Sequence, residues 1–425
     1  VRFKNNNLNP ALISNFFSLV ILQGANYLFP LLTIPYLFRT LGVDTFGLIS
    51  FATAFAQYFV ILTDFGFNLY GVQYISVNRD NKNLRDVFFA NVVVAQLFLF
   101  VIGLLVLISI IFTFDKFYNE KWIYLLSYST VFGTVLLPTW FFQGIEQMKY
   151  ITKINILTRT FSIIPIFFFV KSDADYLLVP FFYGLGSIAS GSIALYVAKK
   201  HFNVNFNFSK VSFLGIKECL KNSSEFFVSR ISVSLYTISN SFVLGLVLGN
   251  ISVGYYVAAE KLYGAIQSLI EPLNSALYPY MVKHKNINTF TKIFVSVLLI
   301  ICIVLPICIY NADFIMHLIY KSVAIESVIV FKILLGVCIL SVPAILLGYP
   351  LLGAFGFSKY ANRTVIISSI FHITALSIMF VTNSISVIAV ASLVLITQFI
   401  VLLARVIGVY KNIYKAAKQT NEINT

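Results

Sequence analysis

Charge is scarce in this chain. Asp, Glu, Lys and Arg make up 11% of the 425 residues, against about a quarter in a typical soluble domain. With 59% hydrophobic residues and a mean hydropathy of +0.88, too little polar surface is left to cover a water-soluble globule. Cysteine is scarce too. Cys219, Cys302, Cys308 and Cys338 have no metal-ligand spacing, and three lie in apolar runs, where a small buried hydrophobe is the expected role. The sequence contains no H-E-x-x-H helix and no G-x-x-x-x-G-K-[ST] phosphate loop, which argues against a zinc hydrolase and a nucleotide-driven pump. Long external loops are missing as well, so an enzyme working on extracellular sugar chains has nowhere to build its site. No cofactor is expected.

What is present is apolar length. Several runs exceed the roughly 20 residues that cross a bilayer as a helix. Twelve spans are predicted, near 11–38, 45–75, 86–113, 122–145, 151–170, 176–198, 222–247, 252–281, 291–311, 323–352, 363–382 and 385–409. The basic opening VRFKNNNLNP leads straight into the first, and no cleaved signal is expected. The fold class is therefore an all-α integral membrane protein.

Charge then sorts by side. Clusters such as Arg79, Lys82 and Arg85, Lys199 to Lys221, Lys283 and Lys285, and Lys411 to Lys418 all fall on one side. The other side has only Arg39, Lys116, Lys121, Lys171 and Lys321, mostly beside acids. The positive-inside rule makes the basic side cytoplasmic, with both termini there. The net charge of +14 is thus spread over short loops, which argues against a nucleic-acid partner. Residues 1–200 form an expected N-lobe of six spans, 201–221 a basic cytoplasmic linker, and 222–425 a C-lobe of six spans with a tail. An even number of spans per half makes the halves parallel repeats. The linker's lysines can rest on anionic headgroups. No sustained amphipathic period runs through it, so a solvated linker is the plainer expectation.

The stretch Phe29 to Phe67 reads as two apolar helices joined by a tight turn at Arg39 to Thr45. The second helix carries Thr53, Gln57, Asp64 and Asn68 on one face. The pattern returns 207 positions later: Leu41, Gly42, Gly47, Ala52 and Leu62 are echoed by Leu248, Gly249, Gly254, Ala259 and Leu269. Asp64 then falls on Glu271, Thr53 on Glu260 and Gln23 on Arg230, as in a duplicated architecture.

Four spans have polar faces. Span one shows Gln23, Asn26 and Tyr27; span two, the Asp64 stripe. Span seven shows Arg230, Ser234, Thr237 and Ser241; span eight, Glu260, Gly264, Gln267, Glu271 and Asn274, with Pro272 as a bend. Intramembrane charge faces a protein interior or a watery cavity by default, so these four spans are expected around one central cavity. Asp64, Glu271, Arg159 and Arg230 fall towards the cytoplasmic third, whereas Glu260, Lys261, Lys332 and Arg39 fall towards the outer half. Cations at two depths suit an anionic headgroup, and neighbouring acids suit a coupled proton or sodium ion. The bland readings stand beside these. Arg39 is an interfacial anchor; Arg159 snorkels or faces the cavity; the hydroxyls of span seven bond their own backbone; His317 and His372 are structural.

Three segments carry a family resemblance: IPYLFRTLGVDTFGLISFA with LTDFGFNLYG, then PTWFFQGIEQMK at Pro138 to Lys149, then Gly254 to Pro279. They resemble the bacterial polysaccharide-transporter family, the Wzx-type flippases within the multidrug/oligosaccharidyl-lipid/polysaccharide exporter superfamily. The resemblance implies two pseudo-symmetric six-helix lobes around a central cavity, alternating between faces. It further implies that an oligosaccharide on undecaprenyl diphosphate moves to the periplasmic leaflet of the bacterial inner membrane. On that reading Arg230, Lys261, Lys332, Arg159, Gln23 and Asn26 are candidate substrate-binding residues. Asp64, Glu260, Glu271, Gln143 and Glu146 are candidates for ion coupling or gating, although Gln143 and Glu146 equally suit a structural network at a helix end. Expected partners are the lipid-linked substrate and membrane lipids, with the repeat-unit polymerase and chain-length regulator as candidates. A cation-coupled drug exporter of the same superfamily is the alternative.

Overall fold

The computed structural model describes residues 10–205 and 211–414. The helices are α1 (Pro10–Asp64), α2 (Phe67–Asn78), α3 (Lys82–Thr113), α4 (Asp115–Asn119), α5 (Lys121–Leu136), α6 (Thr139–Gly144), α7 (Met148–Phe169) and α8 (Leu178–Phe202). They are followed by α9 (Phe213–Leu248), α10 (Asn250–Ser268), α11 (Glu271–His284), α12 (Ile287–Tyr310), α13 (Ala312–Tyr320), α14 (Ile325–Leu346), α15 (Ser358–Val381) and α16 (Val387–Val409). No strand occurs among the described residues. Nine helical stretches there are long and apolar enough to cross a membrane. One of them, Leu28–Asn78, covers more than one predicted span and is divided at Gly42; predicted spans seven and eight fall on α9 and on α10–α11. Leu299, Ile300, Ile303 and Ile307 stand exposed along α12, as suits a surface whose solvent is lipid.

The segment Arg39 to Thr45 joins two helices as expected: Gly42 leaves helical dihedrals and marks a kink within α1. One local expectation changes. The basic segment before span seven is helical from Phe213, where Cys219 is buried. Burial of one face fixes a helix here where the sequence period is weak.

The chain falls into two compact units. One comprises Val1–Phe29 and Ile49–Ile231; the other comprises Pro30–Leu48 and Ser232–Thr425. In the first, α5 packs on α8 and α8 on α7, beside an aromatic core of Phe67, Phe88, Phe89, Trp140, Phe141 and Phe142. In the second, α14 packs on α16 and on α10, and α15 on α16.

Inside the second unit the repeated motif meets its own copy. Gly42 has φ 76° and ψ 168°, and Gly249 has φ 86° and ψ −177°. The two repeat-related residues thus adopt one conformation, in a region closed to side chains with a Cβ. Five residues on from each, Gly47 lies against the Asn250 carbonyl and Gly254 against the Val43 carbonyl; an added Cβ would sit 1.9 Å and 2.5 Å from those oxygens. The helices therefore touch backbone to backbone, the close approach that small residues allow in a membrane. Gly47→Val should reduce the yield of monodisperse protein in detergent, because overpacking costs about 1–3 kcal/mol or more. Gly264→Ala, with nothing within 4 Å of its added Cβ, should leave the size-exclusion profile unchanged.

Candidate functional site

The end of α1 is set by two residues with positive φ, Phe65 at 40° and Gly66 at 78°. Gly66 is required twice over: for that conformation, and because a Cβ there would lie 2.6 Å from the Ser223 carbonyl and 2.8 Å from the Phe227 amide nitrogen. α9 consequently crosses directly over the junction of α1 and α2, with Phe227 stacked on Phe65 at 4.5 Å. Three residues on, this crossing delivers Arg230 to Asp64, the last residue of α1. Arg230 Nη1 lies 3.4 Å from Asp64 Oδ2, with side-chain exposures of 45% and 9%. A carboxylate at a helix C-terminus faces the negative end of the helix dipole, so the guanidinium offsets two unfavourable terms, burial and dipole.

The other carboxylate oxygen is also engaged. Asn68 Nδ2, on the first turns of α2, donates to Asp64 Oδ1 at 2.5 Å. Asn68 Oδ1 in turn accepts from Thr139 Oγ1 at 2.5 Å. Thr139 opens α6, directly before Trp140, whose ring is buried against Gly71, Phe88 and Phe89. The segments LTDFGFN and PTWFFQG, read separately in the sequence, are thus joined by one polar chain: Thr139, Asn68, Asp64, Arg230. All four residues belong to the first unit.

The remaining candidates are placed as follows. Glu146, at φ 58° between α6 and α7, faces Arg79 Nη1 at 3.5 Å; both side chains are about half exposed, an arrangement that contributes little to stability. Gln143 is exposed beside it. Arg159 on α7, Lys261 on α10 and Lys332 on α14 are exposed, and Glu260 on α10 is half-buried. Glu271 begins α11, just after the helix breaks ahead of Pro272, so the expected bend falls where the proline requires it. The side chains of Gln23 and Asn26 lie outside the described residues. Arg39 donates to the Leu318 carbonyl at 2.8 Å, a tie to α13 in addition to any anchoring role.

The second unit has a buried polar chain that helix faces did not reveal. His372 Nε2 lies 2.9 Å from Asn240 Oδ1, and its Nδ1 lies 2.8 Å from Thr397 Oγ1. Asn240 Nδ2 donates to the Tyr256 hydroxyl at 3.1 Å. A proton on Nε2 lets His372 donate to Asn240 and accept at Nδ1 from Thr397, an assignment made from the network. Asn240 escaped notice because it sits one residue, about 100°, off the face read through Ser241.

Residues 12–285 match the family model described as "Polysaccharide biosynthesis protein". Two relatives share the name "Putative O-antigen transporter". The one from Escherichia coli (strain K12) is 33% identical over 267 residues, 62% of this chain and 63% of the relative. The one from Shigella dysenteriae is 27% identical over 282 residues, 66% of this chain and 69% of the relative. The chain thus aligns with just under two thirds of the first relative's length. Among solved structures, a lipid II flippase, MurJ, in an inward closed conformation superposes with TM-score 0.69 at 15% identity, covering 94% of this chain and 87% of that one. An outward-facing multidrug resistance transporter of the MATE family gives 0.61 at 13%, covering 96% of each. These two establish the fold.

Arg230→Gln should lower the thermal unfolding midpoint in detergent, since it leaves Asp64 buried beside no guanidinium. The loss expected is about 1–2 kcal/mol, discounted for the exposure of Arg230. In an Asp64→Asn background the same change should cost at most about half as much, a coupling a double-mutant cycle detects.

Proposed function

The chain belongs to the polysaccharide biosynthesis protein family, and from that premise we propose that it is a flippase for lipid-linked oligosaccharide repeat units. The substrate we infer is an oligosaccharide on undecaprenyl diphosphate, carried from the cytoplasmic to the periplasmic leaflet of the bacterial inner membrane for O-antigen or another surface polysaccharide. The observation that carries this reading is the Asp64–Arg230 pair at 3.4 Å, tied through Asn68 to Thr139 of the PTW segment. No bond is made or broken in such work. The protein has to accept a charged headgroup, shield it and release it on the other side.

The pair suggests how. Arg230 is the exposed partner and Asp64 the buried one. A diphosphate approaching α9 competes for the guanidinium with four or more acceptor oxygens. Asp64, once released, is left in a low-dielectric site and takes up a proton or a sodium ion instead. Substrate entry and ion uptake are thereby linked through one side chain, as coupled transport requires. Lys261 and Lys332 serve as later cationic contacts, with both termini on the cytoplasmic side. The repeat-unit polymerase and chain-length regulator are the protein partners such a role would meet.

The test is complementation of a strain lacking its own repeat-unit flippase, in the sugar pathway matched to this protein. Wild type should restore surface polysaccharide. Asp64→Asn, at equal membrane level, should reduce it at least about tenfold, equivalent to ~1.4 kcal/mol at the transport barrier. Failure of the wild type in the matched host, or full export by Asp64→Asn, would refute the reading.

A further inference from the structure

The second unit encloses a polar cavity that plays no part in the account above. It has a volume of about 200 Å³, far more than the roughly 10–15 Å³ that one water requires. α10, α14, α15 and α16 form its wall, with Gln267, Ser341, Ser368, Thr397, Gln398 and Arg405 as polar lining and no acidic residue in that lining.

Arg405 is there because α14 ends badly. The helix breaks at Gly348, whose ψ of −110° leaves helical space, and Pro350 offers no amide hydrogen to a preceding carbonyl. From the last turns of α16, Arg405 reaches this break. Its Nη1 donates to the Ala344 carbonyl at 2.6 Å, and its Nε donates to Thr364 Oγ1 at 3.3 Å. Gly348 makes room: an added Cβ would lie 2.7 Å from Nη1. Arg405 is 8% exposed, and these two bonds hold its guanidinium.

The hydroxyls of the lining differ in what they offer. Ser341 donates to the Cys338 carbonyl and Ser369 to that of Val365, while the one proton of Thr397 is engaged by Leu393 or His372. Ser368 is the exception. It is 2% exposed, lines the cavity, and its Oγ has no hydrogen-bond partner. A buried hydroxyl left unsatisfied costs free energy, and this one belongs to a residue that lines the same cavity as Arg405.

We propose that this cavity binds a phosphate-type anion, with Arg405 supplying the charge and Ser368 donating its O–H. The half-buried carboxamides of Gln267 and Gln398 complete the donor set. A neutral sugar would use the hydroxyls but gain nothing from the guanidinium. Phosphate oxygens suit both groups, whether they belong to free inorganic phosphate or to a lipid headgroup. This site does not rest on the flippase reading, and it lies wholly within one unit.

Full-length protein in phospholipid-free detergent, titrated by thermal unfolding, tests it. The probes are sodium phosphate, dioctanoyl phosphatidylglycerol, glucose, and sodium chloride at matched ionic strength. Phosphate, the short-chain lipid, or both should raise the midpoint saturably above the chloride control; which one does identifies the source. Ser368→Ala, a small deletion that the fold tolerates, should weaken that binding about tenfold, as expected for a lost hydrogen bond to a charged ligand. Arg405→Lys, which keeps the charge, should retain part of the binding, and Arg405→Gln should lose it. The proposal fails if neither phosphate nor lipid exceeds chloride, if glucose matches them, or if Ser368→Ala titrates like wild type.

Discussion

A carboxylate taken out of water has to keep a positive charge or a proton within reach, and Asp64 meets that condition through Arg230. Much of the first unit is arranged to make the meeting possible. α1 has to stop at Asp64, which the positive φ of Phe65 and Gly66 brings about. α9 has to cross at the junction without a side chain in the way, which only glycine at position 66 permits. Asn68 then fills the second oxygen's need, and Thr139 orients Asn68. Each local choice has a plain physical reason, and together they place an ion pair with one buried and one exposed end.

The second unit applies the same economy to backbone. Gly42 and Gly249 share a conformation, and Gly47 and Gly254 each let a carbonyl from the opposite copy of the motif come close. The offset of 207 residues is therefore visible in dihedral angles as well as letters. It extends to the next break, since α1 ends at Asp64 and α11 begins at the related Glu271. A duplicated helix pair that packs on its copy through glycine explains why these letters recur while most of the sequence between them does not.

The fold was largely legible in the sequence, because crossing a bilayer imposes length and composition that no other constraint mimics. The site was legible in part. Periodicity picks out Asp64 and Arg230, but as members of two separate helix faces. Periodicity tells which side of a helix a residue occupies and nothing of which helix lies opposite. Arg159, Lys261 and Lys332, candidates on the same logic, are exposed here as Arg230 is, and helix faces alone do not say which of these cations meets a carboxylate. His372 was read as structural, and its bonds to Asn240 and Thr397 agree. Arg405 gave no signal at all: an arginine near the end of an apolar span resembles a snorkelling anchor, and only the broken end of α14 explains why it turns inward. The helical start of α9 at Phe213 was hidden by a lysine-rich segment whose order comes from packing.

On the proposed function, the Asp64–Arg230 pair is there to be exchanged and not merely to hold α9 in place. The doubly neutral protein, Asp64→Asn with Arg230→Gln, separates these roles. It would be reconstituted in vesicles with a lipid-diphosphate oligosaccharide, and transbilayer movement of that lipid would be followed with a sugar-binding probe on one side. The account predicts a protein about as stable as wild type that moves the lipid no faster than empty vesicles. Movement at the wild-type rate would contradict it and leave the pair a structural contact.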